Sequence, residues 1–319
     1  MPAGTALLTN TPNFLGQLFN ADPRKTQFLT LIGGTDGGNA LITTNPEFPV
    51  SVNYNIGTGS QPNISEEQSM GALAPNYVAR TQAKNVIEIH QSSVKISNLR
   101  SRAQGRLSGI STAGLVPEQN DELAFQLGVE IAKMKRDMNY TAINGEYADG
   151  GLTSSSVALQ TRGILEAITT NVINEELNAK NVSELVRLAW LNGKFENPVL
   201  FTNSMNRVAI SQAFAIAGLT EVEGNRFVGG IAVGKIVTEF GEVFIATDED
   251  VPADIVLLAD LSQVRPVFTL DAETNDVISV KPLEVPGGTM LELYAEFGLD
   301  YGAEQNHAKL VITPAEEGE

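Results

Sequence analysis

The sequence predicts an α+β protein, and three observations carry the prediction. One long amphipathic helix is written between residues 117 and 145. A helix–strand–helix run occupies residues 181–214. From residue 233 to 313 a series of short strands follows, separated by turn residues.

Taken in order, residues 1–60 are rich in Asn, Thr, Gly and Pro and show little periodicity. Two apolar knots interrupt them: Phe14, Leu15, Leu18 and Phe19, then Phe28, Leu29, Leu31 and Ile32 ahead of Gly33-Gly34. Isolated anchors in so long an irregular segment suit an arm docked on another surface; a domain with irregular strands is the other reading. Residues 85–97, NVIEIHQSSVKIS, alternate twice. Ile87 and Ile89 oppose Glu88 and His90, then Val94 and Ile96 oppose Lys95 and Ser97, which predicts a strand with one phase change. Polar groups on both faces suggest that it stands away from a core or pairs with a neighbour. A basic tract, SNLRSRAQGR, leads from it towards the long helix.

That helix reads PEQNDELAFQLGVEIAKMKRDMNYTAING. Pro117 suits the first helical position, where its missing N–H costs nothing. Glu118, Asp121 and Glu122 lie at its start and Lys133, Lys135 and Arg136 in its second half, an order that complements the helix dipole. Leu123, Leu127, Ile131, Met134, Met138 and Ala142 draw one apolar stripe. Asn144-Gly145 offers a left-handed stop. About 26 helical residues would span about 39 Å, long for a chain of otherwise short elements.

YADGGLTSSSVALQ (147–160) is a loop of small residues. A second helix is predicted from Asn181 to Leu191, with Asn181 as cap and Glu184 completing a capping-box spacing. Val182, Leu185, Val186, Leu188, Ala189 and Trp190 form its apolar face. Pro198–Thr202 reads as a short buried strand. Asn203 opens a third helix through Met205, Val208, Ala209, Ala213 and Phe214. Strands follow at 233–237, 243–247, 255–259, 268–270, 277–280, 290–297 and 309–313, and PAEEGE closes the sequence as an acidic tail.

Composition bounds the function. With 319 residues the chain can bury a large core, and no apolar run approaches the ~20 residues needed to span a bilayer. MPAGTALLTNTPNF lacks the basic flank and apolar centre of an export signal, so cytoplasmic synthesis is expected. The absence of Cys excludes disulfides, thiolate metal sites and a cysteine nucleophile. A net charge of −17 argues against a nucleic-acid-binding surface. The charge is unevenly placed: Arg80, Lys84, Lys95, Arg100, Arg102 and Arg106 stand against Glu88 alone, a local +5 that leaves −22 for the remainder. Such asymmetry points to a basic segment that meets something acidic.

Signs of catalysis are sparse. His90 and His307 are the only histidines, and no HExxH pair, GxSxG elbow, phosphate loop or GxGxxG is present. GGTDGG at 33–38 lacks the strand–turn–helix context and lysine of a phosphate cradle and reads as a flexible joint. Asp248-Glu249-Asp250 is the densest carboxylate cluster, and it keeps a carboxylate-dependent hydrolase in view. The expectation is no catalytic residue, no metal and no cofactor.

Six segments, in this order, resemble the tailed-phage major capsid proteins of the Hong Kong 97-type fold, in the branch without a fused scaffolding domain. ADPRKTQFLTLIGG (21–34) is similar to that family's early segment, with Lys25-Thr26-Gln27 departing from its usual Thr-Pro. NVIEIHQSSVKIS resembles the extended-loop strand, and residues 117–145 the spine helix ending in Asn-Gly. Arg162-Gly163-Ile164-Leu165 resembles the entry to the axial domain. IVTEFGEVFIATDEDVPADIVLLAD (236–260) is similar to a strand pair, a proline turn and a strand ending in Asp. EFGLDYGAEQNHAKLVIT (296–313) resembles the closing strands with their Asn-His-Ala corner.

The resemblance implies an N-terminal arm over 1–60, an extended loop with flanking strands over 61–116, and the spine helix of a peripheral domain over 117–160. An axial domain over 161–262 follows, then the closing strands of the peripheral domain and the acidic tail over 263–319. It implies a head shell, icosahedral or prolate, that encloses double-stranded DNA, built from hexamers and pentamers of this chain. Partners would be the chain itself, a portal, a separate scaffolding protein and decoration or cement proteins, with no specific nucleic-acid sequence and no membrane. An encapsulin-like nanocompartment shell is the nearest alternative. Lys95, Arg100, Arg102 and Arg106, facing Glu118, Asp121 and Glu122 of an adjacent spine helix, are expected inter-subunit contacts, as are the anchors Phe14 and Phe28.

Overall fold

A computed structural model of the chain describes residues 25–35, 39–54, 59–71, 77–98, 122–193, 195–216, 222–228, 231–272 and 275–313. The elements, in chain order, are α1 (Gln27–Leu31), β1 (Leu41–Ile42), β2 (Glu47–Tyr54), α2 (Glu66–Ser69), β3 (Arg80–Val86), β4 (Glu88–Ser97) and α3 (Glu122–Asn144). Then come α4 (Ile164–Ala167), β5 (Val172–Glu175), α5 (Ala179–Asn192), β6 (Pro198–Thr202), α6 (Ser204–Ile216), β7 (Val222–Val228) and β8 (Ile231–Thr238). The series ends with β9 (Gly241–Thr247), β10 (Ile255–Asp260), β11 (Arg265–Thr269), β12 (Ser279–Val285), β13 (Gly288–Asp300) and β14 (Ala308–Ile312). Helices and strands are both abundant and do not alternate as βαβ units, so the α+β class holds.

Two sheets share one core. The first is organised on β13, whose residues 288–297 pair antiparallel with β4 along one edge. Its other edge takes β12 over 288–294 and β11 over 296–300, and β1 adds to β11 in parallel. The second sheet has seven strands in the order β5-β14-β10-β6-β9-β8-β7. Its central strands read as near-continuous apolar runs because both faces are covered. Leu257 and Ala259 of β10 and Val199 and Phe201 of β6 enter the core shared with α1, α3 and the first sheet. Val256, Leu258 and Leu200 point the other way, into a core closed by α5 and α6. Every residue of β6 is buried.

The long helix takes its place by its stripe. Met134, Met138, Ala142 and Ile143 are buried against Val94, Ile96, Leu293, Ala295 and Phe297, whereas Leu123, Leu127 and Ile131 are only partly covered. Its end differs from expectation. Gly145 does not take the left-handed conformation; it is a close-packing residue. Gly163 N–H donates to the Gly145 carbonyl at 2.8 Å. A Cβ on Gly145 would lie 2.5 Å from the Thr161 carbonyl oxygen, and one on Gly163 would lie 2.5 Å from the Gly145 nitrogen.

Several local expectations are corrected. Helix α5 begins two residues before Asn181, because Asn178 is the cap and accepts the Asn181 N–H at 2.8 Å. Asn181 sits inside the helix with its amide on the Glu176 carbonyl, and Glu184 pairs with Arg187 instead of closing a capping box. Trp190 lies on the rim of the apolar face, 51% exposed, its ring 5.7 Å from Phe240. On α6, Ile210 and Phe214 are buried while Met205 and Val208 face outward, one helical step away from the predicted stripe.

The strand predicted over 85–97 breaks at Ile87, which lies between β3 and β4. Ile87 is buried, but Ile89 faces outward and His90 inward with Val94 and Ile96. The phase change is therefore present, and it falls one residue past Ile87. The strand does pair with a neighbour, yet it does not stand away from the core: β4 lies under α3. Residues 47–54, in the stretch read as irregular, form β2 and pair with β3, with a register shift between Pro49 and Ser51.

Candidate functional site

Three surfaces or clusters invite a functional reading: the β2–β3 ribbon, the long helix with β4, and the carboxylates after β9. The ribbon is a two-stranded antiparallel unit, and such a unit alone is marginally stable in water. Its base is anchored. Phe48, Ile87 and Val267 form a small cluster, and a Cβ on Gly298 would lie 2.8 Å from the Phe48 ring. Beyond the base, Val52, Tyr54, Ile64, Met70, Tyr77 and Val78 are exposed, Tyr77 to 85% and Met70 to 82%. Among the described residues the distal part carries only the short α2, held by a capping box in which Gln68 N–H donates to Ser65 Oγ at 3.2 Å and Ser65 N–H to Gln68 Oε1 at 3.0 Å. Exposed apolar side chains gathered on and beside one two-stranded ribbon make it a candidate contact surface.

The acidic cluster Asp248-Glu249-Asp250 is structural in its geometry. Asp248 is 1% exposed. It accepts the Phe28 N–H at 2.8 Å, the Asp250 N–H at 3.0 Å and the Asn139 amide at 3.1 Å. The same amide reaches Asp250 at 2.6 Å, while Asn139 Oδ1 accepts the Leu29 N–H at 2.8 Å. Burial pushes the Asp248 carboxyl up, against the opposing pull of its donors. The knot thus ties α1, α3 and the β9–β10 turn together. It spends these acceptors on the fold.

His307 is fixed in the same manner. Its Nδ1 accepts the Asp260 N–H at 3.1 Å, so Nε2 carries the proton and donates to the Tyr301 carbonyl at 2.6 Å. Burial holds its pKa below the ordinary histidine value. Among the described residues no group of three His, Cys, Asp or Glu side chains is placed to hold a metal ion. No described helix is long and apolar enough to cross a membrane.

Lys95 is exposed on the outer face of β4, where its Cα partner is Met290. Glu122 is the first residue of α3. Phe14, Arg100, Arg102, Arg106, Glu118 and Asp121 lie outside the described residues. Phe28 is corrected: it is wholly buried in the chain's own core, its ring edge-on to Phe201 at 5.0 Å, so no surface remains for a neighbour. The ribbon residues were not singled out from the sequence. A signal was there, since Phe48, Val50, Val52 and Tyr54 alternate, but Pro46 and Pro49 disguise it.

With this geometry in view, comparison with known proteins is informative. The SU10 major capsid protein family matches residues 1–314. No curated protein matches the chain. Among solved structures, the SrpI encapsulin of Synechococcus elongatus PCC 7942 aligns over 98% of this chain and 95% of its own at 14% identity, with a TM-score of 0.61. The capsid of a native GTA particle covers 95% of this chain and 96% of its own, again at 14% identity, with a TM-score of 0.60. The cyanophage A-1(L) capsid covers 98% of both chains at 14% identity, with a TM-score of 0.59. At such identities these three likenesses speak for the fold.

Proposed function

Because this chain belongs to the SU10 major capsid protein family, a family of structural, shell-forming proteins of tailed phages with the Hong Kong 97-type fold, we propose how its copies build a head. The copies associate as hexameric and pentameric capsomers and close an icosahedral or prolate shell around double-stranded DNA. The chain works by contact and carries out no reaction. It is made in the host cytoplasm and ends in the virion. A portal, a separate scaffolding protein and decoration or cement proteins complete the particle.

The observation that carries this reading is the family match across residues 1–314. The ribbon supports it. Its exposed apolar row has no cover among the described residues of its own chain, and a neighbouring subunit in a closed shell would supply that cover. In place of the expected bounds of 61–116 and 263–319, we assign residues 47–86 to the projecting loop, the first sheet, β4 included, with α3 to the peripheral part, and the seven-stranded sheet, β14 included, with α5 and α6 to the axial part. A surface as acidic as −17 per copy suits a wall that holds DNA without adhering to it.

Electron microscopy of the purified chain tests the proposal. Closed shells or six- and five-fold capsomers are expected, and a stable monomer under all assembly conditions overturns it. The likeness to an encapsulin favours one competing reading, a nanocompartment. Particles from the native source that contain protein cargo and no DNA would establish that alternative.

A further inference from the structure

His90 of β4 is 9% exposed, and its Nε2 is buried without a hydrogen-bond partner among the described residues. An uncompensated buried polar atom is costly, so its retention in a seam invites a reason. The seam lies between β4 and α3. Ile89, His90, Gln91 and Ser92 line it on one side, and Glu130, Lys133, Met134 and Asp137 on the other. Those helix residues share one face, at spacings of three, four and seven.

The charged and titratable groups around His90 can be named element by element. From α3 come Glu130, Lys133 and Asp137; Ser92 Oγ already donates to Glu130 at 2.7 Å. From β13 come only apolar groups, Ala295 as the Cα partner and Phe297, whose ring stands edge-on to the imidazole at 6.0 Å. Glu292 and Glu296 lie on the far face of the sheet, bonded to Gln91 and Tyr294. On β4 itself Glu88 accepts the Thr161 N–H at 3.3 Å.

We propose that His90 is a proton-operated release for this seam: neutral, it sits against Phe297 under the long helix; charged, it leaves for the acidic rim of Asp137 and Glu130 and loosens α3 from β4. The electrostatic balance has the sign this requires. Burial lowers the His90 pKa and outweighs Asp137, which raises it. The neutral form is therefore the one the closed seam prefers, and each pH unit below the open-state value of about 6.5 favours opening by up to about tenfold. This device is independent of how the shell is built and acts within one chain.

The test uses the full-length chain in whichever assembly state it purifies, with 15N-histidine spectra and hydrogen exchange read between about pH 7.5 and 5. Two histidines make the assignment direct, and His90→Gln removes one signal. The expected result is a His90 midpoint below the ordinary value, displaced further down by Asp137→Asn. Exchange in residues 89–92 and 130–137, corrected for intrinsic rates, is expected to rise on acidification. In His90→Gln, which keeps Glu88, that extra rise is lost. An ordinary or raised midpoint, or the same acid response in His90→Gln as in the parent, overturns the proposal. Should His90→Gln fail to fold, Asp137→Asn decides alone, since an unmoved midpoint there is equally fatal.

Discussion

At the scale of residues, buried polar groups with committed hydrogen bonds give this chain its special positions. His307 is the clearest case. Its two nitrogens are committed, one accepting from Asp260 N–H and one donating to the Tyr301 carbonyl, so a second proton would set two donors face to face. Its folded pKa is depressed, so the stability it contributes is complete above the unfolded value of about 6.5 and is lost as pH falls below that towards the folded value. Glu88, Asp248 and Asp300, raised by burial, work in the opposite sense: each adds stability as pH falls through its raised folded value towards the unfolded value of about 4. His307→Gln is thus expected to melt lower than the parent at neutral pH, with the difference between the two narrowing as pH falls below about 6.5. A difference that stays constant with pH would show that the histidine does not titrate with unfolding.

At the scale of elements, two glycines predict opposite signs. Gly163 meets Gly145 backbone to backbone, and a methyl group there would press on the Gly145 nitrogen and, at 2.8 Å, on the Ile143 carbonyl. Gly163→Ala is expected to cost about 1–3 kcal/mol in urea unfolding of the dissociated chain. Gly128, inside α3, has nothing within 4 Å of its missing Cβ. Gly128→Ala is expected to stabilise by about 0.5–1 kcal/mol through helix propensity alone. What the sequence made legible follows the same division. Period and composition revealed α3, with its stripe through Met134, Met138 and Ala142, and the runs of β6, β9 and β10. Those signals are local. The closure of α3 on Gly163 was not legible, because the contact joins residues 18 positions apart and leaves no local mark. Nor was the role of Asp248, whose donors come from Phe28 and Asn139 far away in the chain. The ribbon was hidden for a different reason: prolines broke a true alternation.

At the scale of the whole molecule, charge decides whether copies attract. A subunit of −17 repels its copies, and at physiological salt the repulsion is felt over about 8 Å, the screening length. We propose that local pairs of opposite sign offset this repulsion and, beside the apolar ribbon, help set the register of contact. The tract from Arg80 to Arg106 carries +5 against −22 elsewhere, and Lys95 is held exposed on β4. If Lys95, Arg100, Arg102 and Arg106 meet Glu118, Asp121 and Glu122 of a neighbour, each exposed pair is worth only about 0–1 kcal/mol. Repetition around a closed shell turns such small terms into a strong preference, because each further contact forms within an already assembled whole. The double substitution Arg100→Glu with Arg102→Glu is expected to leave the circular dichroism and melting of the chain unchanged while impairing shell formation. Salt then separates attraction from general repulsion. Raised salt is expected to weaken assembly of the parent, which loses the pairs, and to rescue the variant, which loses a repulsion. Normal shells from the variant at low salt would remove the basic tract from the contact, and the acidic start of the long helix with it.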